Sequence, residues 1–370
     1  MAIYTFDKIA INSTQKVKPL ESDKEHYIGL EHIDPECLYI TRWGADAAPI
    51  GEKLVMKKGD ILFGKRRAYQ RKVGIAPFDG IFSAHGLVLR PKEDVIIKEF
   101  FPFFISSDQF LDRAVQISVG GLSPTVNWSD LARQEFDLPP IEDQKVLADK
   151  LWAAYKVKES YRQLLSTTDE MLKAKFQEMF GDGKWEQKTL GEVGSFQRGG
   201  GFQKDDYVEK GIPCIHYGQI HTKFGPYIYT HLTEISSELE KKTKYAVKGD
   251  LVVAITSEDE EGSCKSTAWL GNYPVAVGGH AAIFHHIMDP LFMTFYFKSS
   301  AFNHEKVKYT RGSKVVEIKP DDVAKIHVPV PPMELQQQFA EIATQAEATK
   351  ASLRASIKAI DRVIRSLINQ

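Results

Sequence analysis

Two stretches of the chain carry apolar residues at helical spacing over far more than an ordinary helix. In the first, Leu147, Leu151, Ala154, Tyr161, Leu165, Thr168 and Leu172 step by three and four, and Lys158 interrupts the seam. Leu138-Pro139-Pro140 opens this stretch, and no proline or glycine follows until Gly181. Proline presets the φ of a first helical turn. At about 1.5 Å per residue the predicted helix is roughly 60 Å long. The second stretch opens at Pro331-Pro332 and runs without glycine to Gln370, its seam being Leu335, Phe339, Ile342, Ala346, Leu353, Ile360, Val363 and Leu367. A lone amphipathic helix of this length cannot bury its stripe. The pattern therefore predicts that the two helices pair with each other. The alternative is two unrelated helices, each packed on its own domain, and the matching Pro-Pro starts argue against it.

Comparing the chain with itself extends the match. Lys58-Gly59-Asp60-Ile61-Leu62 recurs as Lys248-Gly249-Asp250-Leu251-Val252, and Ser83-Ala84-His85-Gly86-Leu87-Val88 is echoed by Gly279-His280-Ala281-Ala282-Ile283. Gly120-Gly121-Leu122-Ser123-Pro124-Thr125-Val126 aligns loosely with Gly312-Ser313-Lys314-Val315-Val316, and Pro139-Pro140 with Gln144 is echoed by Pro331-Pro332 with Gln336. A weaker match joins Tyr27-Ile28-Gly29-Leu30-Glu31-His32-Ile33 to Ile215-His216-Tyr217-Gly218-Gln219-Ile220. All offsets lie near 190 residues and in order, which indicates a duplication. Short apolar runs such as Ile61-Leu62-Phe63 and Leu251-Val252-Val253-Ala254-Ile255 read as strands between Gly, Pro and Asp turns. Phe100 to Leu111 and Pro290 to Phe302 read as short aromatic-rich helices. The expected class is α+β: a mixed domain over 1–137, a long helix over 138–180, a second mixed domain over 185–330 and a second long helix over 331–370. Gly181-Asp182-Gly183 marks the break between the first helix and the second domain.

Composition narrows the function classes. The 370 residues are 43% hydrophobic and 26% charged, with no apolar run long enough to span a membrane and no signal-peptide pattern at Met1-Ala2-Ile3-Tyr4-Thr5-Phe6-Asp7. Three widely spaced cysteines, Cys37, Cys214 and Cys264, fit a reducing cytoplasm better than a disulfide framework or a metal cluster. The net charge of −1 means that any nucleic-acid surface is a local patch.

Catalytic signatures are missing. The chain has no G-x-G-x-x-G, no G-x-x-x-x-G-K-[ST], no H-E-x-x-H, no paired C-x-x-C and no Asn/Asp-Pro-Pro-Tyr/Phe motif of adenine methyltransferases. His85 and His280 occupy matching points of the repeat and read as structural histidines beside a strand rather than as general bases. The strongest binding signal is Lys65-Arg66-Arg67-Ala68-Tyr69-Gln70-Arg71-Lys72 between Gly64 and Gly74. Arginine and glutamine can read guanine and adenine edges, while lysine and further arginine neutralise phosphates. A charge run alone would read as a solvated hairpin tip; the interleaved Tyr69 and Gln70 weigh against that. The matching stretch of the second repeat, Thr256-Ser257-Glu258-Asp259-Glu260-Glu261-Gly262, is acidic and cannot take the same part. Basic candidates there are Gln197-Arg198, Lys265, Lys308 and Arg311 with Ser313 and Lys314, and Gly199-Gly200-Gly201 allows close backbone approach.

Several of these segments, taken together, resemble the specificity subunit of type I restriction–modification systems. They are Gly59-Asp60-Ile61-Leu62-Phe63-Gly64-Lys65-Arg66, the Ser83-Ala84-His85 strand start and Leu138-Pro139-Pro140-Ile141-Glu142-Asp143-Gln144-Lys145. In the second half the resemblance rests on Trp185 to Leu190-Gly191-Glu192-Val193, Gly211-Ile212-Pro213 and Val330-Pro331-Pro332-Met333-Glu334-Leu335-Gln336. The first repeat departs from the pattern in lacking the Trp-x-x-x-x-Leu-Gly opening. The resemblance implies two target recognition domains, each reading half of a bipartite sequence in double-stranded DNA. It implies that the long helices form an antiparallel coiled coil relating the domains by a pseudo-two-fold axis. It also implies a non-catalytic chain in a complex with two methyltransferase subunits and with restriction/translocase subunits. S-adenosylmethionine, ATP and magnesium would then belong to the partners, and this chain would bind no cofactor or metal. The competing readings are a fused enzyme, the specificity component of another bipartite methylation or restriction system, and a coiled-coil scaffold without DNA contact.

Overall fold

A computed structural model describes residues 2–260, 262–312 and 315–369. The chain divides into two compact units, Met1–Arg162 with Arg354–Gln370, and Gln163–Leu353. Each long helix contributes to both: the central helix spans Ile141–Phe180 and the C-terminal helix Met333–Ile368.

In the first unit, two four-stranded sheets share a core. One sheet is antiparallel in the order Ala10–Ser13, Leu87–Pro91, Ile61–Phe63, Val73–Ile75. The other runs Lys16–Val17, Lys53–Met56, Gly80–Phe82, Tyr27–Ile28, its last pair parallel. The aromatic segment folds as two short helices, Phe101–Ile105 and Asp108–Gln116, because Ser107 breaks it and caps the second by accepting from Phe110 N at 3.1 Å. Phe6, Phe104, Phe110 and Phe136 cluster beneath them, with ring centroids 5.1–6.5 Å apart.

The start of the central helix closes this core through Ala148, Leu151 and Tyr155, and Ile364 of the C-terminal helix joins them. The buried line thus adds Tyr155 beside the partly buried Ala154 and takes Ile364 in place of Val363, which is 52% exposed. Tyr155 fixes the phase, its Oη accepting from Leu38 N at 2.6 Å and Tyr39 N at 3.3 Å. Lys158 does not interrupt the seam but lies in it, only 3% exposed. Its Nζ meets Asp361 at 2.6 Å and donates to Glu36 O at 3.2 Å. Apolar periodicity cannot register a charge whose partner is supplied by a distant part of the chain.

The second unit repeats the plan. A five-stranded sheet runs Gly194–Arg198, Ala281–His286, Leu251–Ala254, Ser266–Trp269, Tyr227–Ile228, and another runs Tyr207–Val208, Thr233–Ile235, Ile212–Ile215, Val275–Val277, Tyr245–Ala246. The parallel pairing of Ile28 with Phe82 returns as Ile215 with Val277, so even the weakest sequence match has a structural counterpart. Pairing of Ala2–Thr5 with Glu135–Leu138 returns as Gln187–Thr189 with His327–Pro329. The first repeat therefore possesses the opening strand despite lacking the Trp-x-x-x-x-Leu-Gly spelling. Ser299 takes the place of Ser107, accepting from Phe302 N at 3.2 Å between helices Pro290–Tyr296 and Ser300–Lys306. The end of the central helix packs Phe176 and Phe180 on Phe339 of the C-terminal helix, with centroids 5.2 and 5.8 Å apart. Lys350 is buried in this seam with Asp169 at 2.5 Å and Glu347 at 2.6 Å. In each unit low numbers of one helix face high numbers of the other, so the pairing is antiparallel.

The Pro-Pro-x-x-x-Gln echo has a physical basis. Gln144, 1% exposed, accepts from Ile97 N at 2.9 Å and donates to Val95 O at 3.0 Å and Pro139 O at 2.9 Å. Gln336, also 1% exposed, accepts from Asp289 N at 2.8 Å and donates to Pro331 O at 2.8 Å. Each amide thus ties a long helix to the segment leading into the aromatic helices, satisfying backbone groups that burial would otherwise orphan.

His286 makes the second unit acid-sensitive. Burial pushes its imidazole down to about 4, below the ordinary 6.5. The unfolded chain therefore binds a proton that the folded one refuses between those values, and stability falls as pH drops from about 6.5 to about 4. The loss approaches roughly 3 kcal/mol below that window. Melting the wild type and His286→Gln at pH 7 and pH 4.5 checks this: the variant is expected to lose less stability on acidification.

Candidate nucleic-acid interface

The basic loop of the first unit leaves strand Ile61–Phe63 and returns as strand Val73–Ile75. Between them Arg67 (φ 56°) and Arg71 (φ 54°) take left-handed backbone conformations on either side of the turn Ala68–Gln70. This geometry is uncommon for non-glycine residues and is held here by neighbours. Arg66 N donates to His85 O at 3.1 Å, Arg67 N to Pro124 O at 2.7 Å, and Val126 N to Lys65 O at 3.0 Å. Ser123 Oγ accepts from Arg66 Nη2 and Arg67 Nε, each at 3.3 Å, and Arg66 Nη1 lies 3.4 Å from His85 Nε2.

Charge divides the loop. Among the described residues no carboxylate lies within ion-pair distance of Lys65, Arg66 or Arg67. Burial, then the Lys16 charge, holds Lys65 below its ordinary value, and burial with Arg66, Lys65 and Lys53 does the same to His85. The cations left without a carboxylate are thus Lys65, Arg66 and Arg67, a short patch that a phosphate backbone would neutralise; Lys16 at its edge is 3.5 Å from Glu52, and Lys53 is buried with its ammonium on backbone carbonyls. Arg71 is different: its guanidinium meets Asp108 at 2.6 Å and Asp112 at 3.0 Å, so it anchors the loop to the helix below. Tyr69 is 53% exposed at the turn and Gln70 is half-buried, its N donating to Arg67 O at 2.9 Å.

The corresponding surface of the second unit has the same frame and other chemistry. Thr256 pairs with Glu317 where Arg66 pairs with Thr125. His280 Nδ1 lies 3.2 Å from Thr256 Oγ1, and the Tyr217 ring stacks obliquely on it at 5.1 Å. Arg198 reaches this cluster, donating through Nε to Gly279 O at 2.9 Å and lying 3.3 Å from Glu317. Lys265 joins by donating to His221 O at 2.8 Å, and His221 Nε2 is 3.1 Å from Thr256 O. Arg311 bridges Glu317 through the backbone and lies 3.5 Å from Asp322. Gln197 is exposed on the edge strand opposite Ile283, and Lys308 is exposed. Ser313 and Lys314 lie outside the described residues, as does Glu261. The close approach expected of Gly199 is to the protein itself: a Cβ there would sit 2.4 Å from Val277 O and Gly278 O.

Both histidines are exposed at these surfaces, each beside a polar partner, Arg66 for His85 and Thr256 for His280. Sequence reasoning missed Ser123, Tyr217, His221 and Glu317. The Gly120–Val126 echo was the available signal for Ser123 and the Ile215–Ile220 echo for Tyr217; nothing local marks His221 or Glu317.

The model of the type I restriction modification DNA specificity domain matches residues 19–165 and again 182–362. The chain belongs to that family. It is a DNA sequence-specificity subunit with two such domains. No curated protein matches it. Among solved structures, a chain from a type I restriction–modification system studied for complex assembly and conformational transition is 18% identical over all of this chain and 96% of that one, with a TM-score of 0.55. The S subunit of the type I system of M. genitalium is 13% identical over 99% of this chain and 94% of that one, with a TM-score of 0.53. At these identities the likeness concerns the fold. No helix among the described residues is long and apolar enough to cross a membrane.

Proposed function

We propose that this chain reads a bipartite target in double-stranded DNA, one half-site per recognition domain, and carries no catalytic group of its own. Methyltransferase subunits, two per chain, and restriction/translocase subunits assemble on it in the cytoplasm. They bring S-adenosylmethionine, ATP and magnesium. The observation that carries this reading is the repeated frame with divergent surfaces: the same strands and the same paired histidine positions present un-neutralised Lys65, Arg66 and Arg67 in one unit and Thr256, His280 and Glu317 in the other. One scaffold with two chemistries suits two different half-sites.

The domains 1–137 and 185–330 are the exchangeable parts in this reading. Exchanging only 185–330 for the equivalent segment of a relative, then sequencing methylated sites in cells that also carry the methyltransferase subunit, tests it. One half of the modified sequence is expected to change while the other stays. A change in both halves would show that recognition is shared between the domains.

A further inference from the structure

A lone exposed leucine is ordinary on a protein surface, but Leu122 is held in a special place. It is 97% exposed at the tip of a hairpin closed by Val119 and Thr125, which exchange backbone bonds of 3.1 and 2.9 Å. The adjoining Ser123 takes both arginine guanidinium bonds, and Thr125 Oγ1 donates to Ser123 O at 3.2 Å. Pro124 and Val126 bond the basic loop from the other side, so the tip and the cationic patch form one stiff assembly. Gly120 (φ +111°) makes the turn, and a Cβ on Gly121 would meet nothing within 4 Å. The leucine therefore stands clear of the surface on a narrow support, next to the Ser123 that holds Arg66 and Arg67, two cations with no carboxylate partner among the described residues.

We propose that Leu122 is a wedge that enters double-stranded DNA at a base step beside the phosphates held by Arg66 and Arg67, kinking the half-site read by the first domain. Aliphatic side chains inserted between base pairs unstack one step and bend the duplex by roughly 20–90°. Arg66 and Arg67, both reaching the hairpin at Ser123, would hold the backbone beside the opening step and offset its cost. The matching turn of the second unit, at Gly312, is followed in sequence by Ser313 and Lys314, neither of them an apolar wedge. Val315 comes next, 56% exposed but shorter than leucine, and the proposal is confined to the half-site of the first domain. This inference rests on the DNA-reading role proposed above.

The test uses the full chain assembled with its methyltransferase subunit on the duplex identified by methylated-site sequencing, with dyes at the duplex ends to report bending. The wild type is expected to bend the target, Leu122→Ala to bind about tenfold more weakly with most of the bend lost, and Leu122→Met to keep both. An Ala variant that bends and binds like the wild type overturns the wedge, as does a wild-type complex on straight DNA. Failure of the Ala variant to assemble with the methyltransferase subunit in the absence of DNA also overturns it, because the leucine would then serve a protein contact. A wild-type complex that does not prefer the target over a scrambled duplex sinks the recognition role itself.

Discussion

Asp361→Ala is expected to destabilise the first unit by about 3–5 kcal/mol. The substitution leaves the Lys158 ammonium at 3% exposure with the Glu36 carbonyl and the Tyr155 ring, 5.7 Å away, but no carboxylate partner among the described residues. An unpaired buried ammonium loses most of its hydration and gains little in return, which is why breaking such a pair costs more than the pair itself contributes. The double variant Lys158→Met with Asp361→Ala is expected to recover most of the loss, since an apolar side chain of similar length can fill the seam. Denaturant unfolding followed through tryptophan fluorescence measures both. Asp169→Ala is a useful contrast: Lys350 retains Glu347 at 2.6 Å and Asp169 is itself 51% exposed, so a smaller loss is expected. Equal losses at the two sites would show that burial of the lysine, rather than its number of partners, sets the cost.

The same two ion pairs determine how the helices can be lengthened. Lys158 and Asp361 lie 192 residues from Lys350 and Asp169 respectively, so the pairs are duplicates of one another. On each helix the lysine and the aspartate are 11 residues apart, and any insertion between them in one helix alone must displace a pair. Four residues inserted near Ser166, matched by four near Ser356, add about 6 Å, close to one turn, to both helices and preserve both pairs. If helix length sets the half-site spacing, the matched variant is expected to recognise unchanged half-sites with a spacer longer by about one or two base pairs. The insertion near Ser166 alone is expected to lose thermal stability. Sequencing of methylated sites in strains carrying each variant reads the spacer directly. An active matched variant with the original spacer would remove the helices from any measuring role.

The long helices, the duplication and the basic loop were legible in the sequence because each is a local signal. A helix without proline or glycine is written in consecutive residues, and so is its amphipathic phase to within one position. The α+β class followed from short apolar runs between turn residues, and the repeat from ordered matches, the Gln144 and Gln336 echo among them. What these glutamines do was not legible: their partners, Ile97 and Asp289, lie 47 residues away. Likewise only the folded chain reveals that Lys158 belongs to the seam, that Arg71 is committed to Asp108 and Asp112, and that Ser123 joins Arg66 to Arg67. Whether a charge is free for DNA or bound within the protein depends on which distant groups the fold brings within about 3 Å, a distance at which pairing and burial outweigh any propensity written along the chain. Periodicity decided which elements form; tertiary contacts decided which of their polar groups remain available to a ligand.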